Sequence, residues 1–161
     1  MSVQKDSYVW FWVALMIVAI AAGIIFLIYE MSRPKVMLHL GDGIFTARVA
    51  MTDSERTKGL SGVKELPKDK AMLFVFDQDD KHGIWMKDME IPIDVVWLDR
   101  ERRVVYIARE VLPESYPEKY RSNIAARYVV EFAAGTVQEK AIRIGMTAQF
   151  NEEMLKEDVG W

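Results

Sequence analysis

The run Tyr8–Tyr29, YVWFWVALMIVAIAAGIIFLIY, holds 22 residues and no charge. As a helix rising about 1.5 Å per residue it measures about 33 Å, enough to cross a bilayer hydrocarbon core of about 30 Å. A helix of a soluble domain keeps one polar side, and this run has none. Trp10, Trp12 and Tyr29 lie near its ends, where interfacial aromatics gather. A cleaved signal peptide fits less well, because its apolar region spans only about 7–15 residues. Small residues occur in Ala19–Gly23, but strongly apolar chain continues after them. The expectation is one uncleaved membrane-spanning helix, with the lipid bilayer as its partner through Tyr8–Tyr29. In Ser32–Lys35, Pro34 stops the helix, so the following domain is expected close to the bilayer.

Flanking charge gives a weak vote on orientation. Lys5 and the α-amino group face Asp6 on one side; Arg33 and Lys35 face Glu30 on the other. Counting Lys and Arg leans towards a cytoplasmic domain. Beyond residue 33 the chain carries 19 basic and 22 acidic residues, with no basic cluster that would track phosphates. Nucleic acid is therefore not an expected partner. The absence of cysteine removes thiol nucleophiles and thiolate metal sites. No P-loop or G-x-G-x-x-G occurs, and no cofactor is expected. Asp77, Asp79 and Asp80 beside His82 offer hard ligands, but at no recognised metal spacing, so they read as a solvated turn. No metal site is assigned. His39 reads as an exposed strand residue.

The remaining pattern is β-rich. Val36, Leu38 and Leu40 alternate before a Gly-Asp-Gly turn, and Ile44–Met51 returns as a hairpin. Thr52 and Glu55 form a capping box for a two-turn helix that Gly59 ends. Ala71–Phe76, Ile93–Asp99, Arg103–Leu112, Ala126–Gly135 and Ala141–Phe150 read as strands separated by polar turns. The expected fold class is mostly β, a compact sandwich or barrel with one short helix, preceded by a single N-terminal transmembrane helix. The expected domains are 1–33 for tail and anchor, 34–150 for the β domain and 151–161 for an acidic tail, helical or disordered.

Charges inside apolar strands mark the candidate site. Asp94 shares strand parity with Val96 and Leu98, while Ile93, Val95 and Trp97 face the other way. Both faces are apolar, so Asp94 is expected to be buried and to need a cation or backbone N–H donors. Lys87, Arg56 and Arg127 are the candidate cations. Two readings stay open. One is an ion pair that fixes the bend at Pro92. The other is a ligand-binding pocket made by Trp85, Met86, Lys87, Asp94, Arg56 and Tyr128. Ser61, in Gly59–Val63, lacks the G-x-S-x-G setting of a serine nucleophile.

From about Ile44 to Phe150 the chain resembles the DUF192 family, also called UPF0127. The segments that carry the likeness are TDSERTKGL, AMLFVF, IWMKDMEIPIDVVWLD, RVVYIARE and ARYVVEFAAG, in that order. The resemblance implies a compact β domain, often behind a signal peptide or anchor and outside the cytoplasm. It supplies no reaction. Its motif positions fall on Glu55, Arg56, Gly59 and Leu60, then on Phe74 and Phe76. They continue at Trp85, Met86, Lys87, Pro92 and Asp94, and end at Tyr128, Glu131 and Gly135. Ser61, Ala71, Asp88, Met89 and Ala125 depart from the family pattern.

The leading expectation is thus a membrane-anchored, single-pass, extracytoplasmic β domain that binds a small ligand, a glycan or an envelope partner. One rival is a hydrolase or transferase with Asp94 as general base and Lys87 or Arg56 stabilising charge. Another is an envelope assembly accessory domain with an exposed patch at Trp85, Met86 and Met89.

Overall fold

The computed structural model describes residues 3–31 and 34–151. The juncture at 32–33 and the expected acidic tail from 152 onward lie outside the described residues. The chain divides into two units, residues 1–33 and 34–161. The first contains the helix α1, Val3–Met31. Within it Tyr8–Ile25 has a mean hydropathy of 2.4 and none of that stretch is buried. By length and composition it can cross a membrane.

The second unit is mostly β. Its elements are β1 (Lys35–Leu40), β2 (Gly43–Ala50), α2 (Asp53–Lys58), β3 (Lys70–Asp80), β4 (Gly83–Trp85), β5 (Ile93–Leu98), β6 (Val104–Val111), β7 (Lys119–Arg121), β8 (Ala126–Ala133) and α3 (Thr136–Glu139). Six strands form one sheet in the order β1-β2-β3-β8-β5-β6, and β4 pairs with β7 in a separate ribbon. Only β2 and β3 run parallel, because α2 and its loop carry the chain back between them.

The alternation seen in the sequence becomes two packed faces. Val36, Leu38, Phe45, Leu73, Val96, Leu98, Val130 and Phe132 fill one core. Met72, Phe74, Met86, Val95, Trp97 and Val129 fill a second core on the other face. Burying one large apolar side chain contributes about 1.5–3 kcal/mol, so both faces hold the sheet. Trp97 is fully buried, and its indole N–H donates to the His82 carbonyl at 2.9 Å.

Ala141–Phe150, expected as a strand, forms no ladder of its own, and its second half, 145–150, takes another role. It lies instead between the two edges of the sheet. His39 and Gln149 exchange both backbone hydrogen bonds at 2.9 Å, on the β1 side. Ala148 N–H donates to the Arg102 carbonyl, and Val104 and Met146 bond at 2.8 Å, on the β6 side. Through one isolated bridge on each side this segment joins the two edges of the sheet into a ring at that end. Phe150 seals it, edge-on to Tyr128 at 5.3 Å. Asp77–Asp80, expected as a turn, extends β3 as an exposed end. Its Asp79 is held by Arg127 at 2.5 Å and Arg100 at 3.2 Å. The hydrogen bond from Arg127 is the main reason its pKa is lowered.

Candidate functional site

The capping box at Thr52 sets the start of α2. Thr52 Oγ1 accepts from Glu55 N–H, and Glu55 returns the bond to Thr52 N–H. The helix ends at Gly59, whose φ of 48° and ψ of −129° suit glycine. An added Cβ there would also stand 3.3 Å from Phe74 Cζ. This sharp exit turns Leu60 and Ser61 back over the sheet.

A cleft of about 50 Å³ opens between this turn, β3, β4 and β8. Its apolar walls are Leu60, Phe74, Ile84 and Met89, and its rim carries Arg56, Lys58, Ser61, Trp85 and Lys87. Glu131 of β8 also lines it. That carboxyl is 4% exposed, and its Oε2 has no hydrogen-bond partner among the described residues. Burial pushes its pKa up to about 8, while the charge of Arg48 pulls the other way. Near neutral pH the group is therefore mostly a carboxylic acid, able to donate as well as accept.

The rim is cationic and aromatic. Lys119 Nζ stands 4.9 Å from the centre of the Trp85 ring and Lys87 Nζ 6.0 Å. Tyr116 meets Trp85 edge-on at 6.0 Å. Arg56 is tied into the fold: it donates to the Met51 carbonyl, to the Val75 carbonyl at 2.7 Å and to Asp53 at 2.6 Å. Ser61 Oγ donates to the Lys87 carbonyl at 2.9 Å, which fixes the rim.

Of the residues singled out in the sequence, Arg56, Trp85 and Lys87 come together at this cleft. Met86 lies beneath them in the core at 1% exposure. Asp94 and Tyr128 do not join them. Asp94 pairs across the sheet with Phe132, and Glu131 with Val95, so Asp94 and Glu131 point to opposite faces. Tyr128 packs in the core on the Asp94 side. Asp94 meets backbone donors rather than a cation: Glu110 N–H reaches Oδ1 and Val137 N–H reaches Oδ2, each at 2.8 Å. Glu110 sits in a bulge of β6 with φ 49°. Asp94 thus pins that bulge to the start of α3. With 1% exposure it reaches no solvent.

Glu131, Lys58 and Arg48 entered the cleft's neighbourhood without being chosen as site residues from sequence. The signal for Glu131 was present, since Tyr128–Phe132 is apolar on both faces around one acid.

Two solved structures resemble the chain. A protein of unknown function from Novosphingobium aromaticivorans aligns with a TM-score of 0.66 at 25% identity, covering 71% of this chain and 83% of that one. A protein from Sinorhizobium meliloti, described as a candidate transcription regulator, aligns with a TM-score of 0.67 at 25% identity, covering 74% of this chain and 94% of that one. No curated protein matches the chain. The family model of DUF192, described as an uncharacterised ACR, matches residues 36–150, and the chain belongs to that family.

Proposed function

We propose that the β domain is a binding module for a small, oxygen-rich anionic ligand, an acidic sugar of the cell envelope being the class that uses every feature of the cleft. The observation that carries this reading is the unpartnered Oε2 of Glu131 beside a cleft rimmed by cations. A buried polar atom without a partner costs about 1–3 kcal/mol, and a ligand that supplies the bond recovers it. The cleft admits only a group of a few atoms, such as one hydroxyl or carboxyl oxygen. The remainder of the ligand lies across Trp85 and Tyr116, with Lys58 and Lys87 attracting its charge.

The anchor reading goes with this. α1 spans the bilayer and holds the domain on the extracytoplasmic side, a sidedness that follows the family resemblance rather than the weak charge asymmetry. Asp94 has no part in catalysis in this reading, since both its oxygens accept backbone N–H groups.

Thermal unfolding of the fragment from Lys35 to Trp161 with neutral and acidic sugars tests the ligand. A binder at 100 times its Kd stabilises by about 2.7 kcal/mol, a rise of several degrees. Acidic sugars should raise the midpoint, and Trp85→Ala and Lys87→Met should remove the rise while leaving the fold intact. A panel without effect, or a rise untouched by both substitutions, would sink the reading. A C-terminal reporter active only in the cytoplasm would sink the sidedness.

A further inference from the structure

A second cavity lies on the same outer face of the sheet, under the loop after α2. It measures about 260 Å³ and is lined by Lys35, Thr46, Arg48 and Lys70 of β1, β2 and β3, and by Leu60, Val63 and Leu66 of the loop. Two of its cations, Lys35 and Arg48, are directly paired across β1 and β2, where strand alternation puts their side chains on one face. Arg48 Nη2 reaches the Gly59 carbonyl at 3.4 Å and Met72 Sδ at 3.6 Å, which holds its guanidinium over the sheet. Lys70 stands in the neighbouring row, opposite Thr46. It pairs with Asp69 at 3.0 Å across the rim and is 3.4 Å from Thr46 Oγ1. Among the described residues no acidic side chain lines the cavity itself. The same outer face of the hairpin continues with Met37 and Ile44, exposed by 53% and 56%.

Cations grouped on one wall and apolar side chains on the other describe an amphiphile in negative image. We infer that this groove binds a single-chain anionic amphiphile, a fatty-acid carboxylate. Its headgroup lies among Lys35, Arg48 and Lys70, and its chain runs along Leu60, Val63 and Leu66. The headgroup brings negative charge to a wall of three cations, and the chain covers the half-buried Val63 and Leu66 beside the buried Leu60. Uncharged sugars lack the apolar tail for this wall, and free phosphate lacks it too. The site is separate from the Glu131 cleft, although Leu60 lines both.

The test is calorimetric titration of residues 34–161, the compact unit that keeps the Pro34 carbonyl for Val49 N–H, with laurate below its micelle concentration. Shorter carboxylates and dodecyltrimethylammonium serve as comparisons. Laurate should bind saturably at one site, and the cationic amphiphile should not. Affinity should rise about fourfold for each added methylene until the groove is full. Lys35→Glu with Lys70→Glu should weaken laurate by about tenfold or more, and Val63→Asp should do likewise, with circular dichroism showing each variant folded. Trp85→Ala should leave laurate affinity unchanged, which separates this site from the sugar cleft. Non-saturable binding, equal binding of the cationic amphiphile, or indifference to both the charge reversals and Val63→Asp would overturn the inference. So would loss of laurate binding in Trp85→Ala alone.

Discussion

Arg48 and Glu131 stand two strands apart on one face of the sheet, with Met72 between them. Arg48 pairs with Met72 across β2 and β3, and Met72 with Glu131 across β3 and β8. Arg48 Nη2 lies 3.6 Å from Met72 Sδ. At about 4.8 Å per strand the two Cα atoms are about 10 Å apart. The guanidinium is thus close enough to lower the pKa of Glu131, yet burial wins and the net shift is upward. The domain thus holds the Glu131 proton to about pH 8 beside its cleft.

A pH dependence follows from that acid. The unfolded chain releases the Glu131 proton near the ordinary value of 4.5, and the folded domain holds it to about 8. Between those values the folded state binds more protons, so this group's contribution to stability is complete below about pH 4.5 and falls as pH rises to about 8. The slope is at most about 1.4 kcal/mol per pH unit. Glu131→Gln, which cannot ionise, should lack this component. Urea unfolding of both proteins at several pH values reads the difference, and parallel curves would refute the assignment. Arg48→Met should extend the falling range to higher pH, because the one opposing charge is gone.

Asp94 should matter for stability and not for the cleft. Asp94→Ala leaves the amides of Glu110 and Val137 without their acceptors. With about 1–3 kcal/mol for each of the two orphaned buried donors, a loss of about 2–6 kcal/mol is expected. Hydrogen exchange should show both amides losing protection. Asp94→Asn retains one acceptor oxygen and should lose less. Unchanged protection at both amides in Asp94→Ala would contradict the assignment.

Gly59 should tolerate no side chain. Its backbone angles are costly for other residues, and a Cβ there would press on Phe74 Cζ at 3.3 Å. Gly59→Ala is expected to cost about 1–3 kcal/mol. Chemical denaturation measures that loss. A neutral substitution would mean the turn after α2 relaxes freely.

Phe150 should behave as a core residue despite its place in an irregular segment. It is 7% exposed, and Arg102 both donates to its carbonyl at 3.0 Å and lies 5.4 Å over its ring. Phe150→Ala should cost about 3–5 kcal/mol in unfolding free energy. A loss below about 1 kcal/mol, the scale of a surface change, would show that the closing segment contributes little.

Local signals made much of the domain legible before the structure. The β1–β2 hairpin follows from alternation and a glycine turn, and α2 from its capping box, since those depend on near neighbours. The closing role of 145–150 was not legible, because it depends on two strands each about forty or more residues distant along the chain. The site was half legible. Trp85, Lys87 and Arg56 stand out as polar or aromatic residues in unusual company, and they meet. Asp94 stood out for the same reason, but the sequence does not reveal that backbone amides, rather than cations, surround it. Glu131 carried the same mark as Asp94. Strand parity alone cannot say which of two buried acids faces a cavity.

The closing of the ring by residues 145–150 sets an order in biosynthesis. The ribosome delivers α1 first and this segment only after all eight strands. Until then β1 has no bonding partner on its outer side, and the first core lacks Ala148 and Phe150. The helix α1, which by length and composition can cross a membrane, therefore leaves the ribosome before the domain can lock. A domain whose bridging segment comes last in the order of synthesis keeps its sheet open until nearly the whole chain has been made.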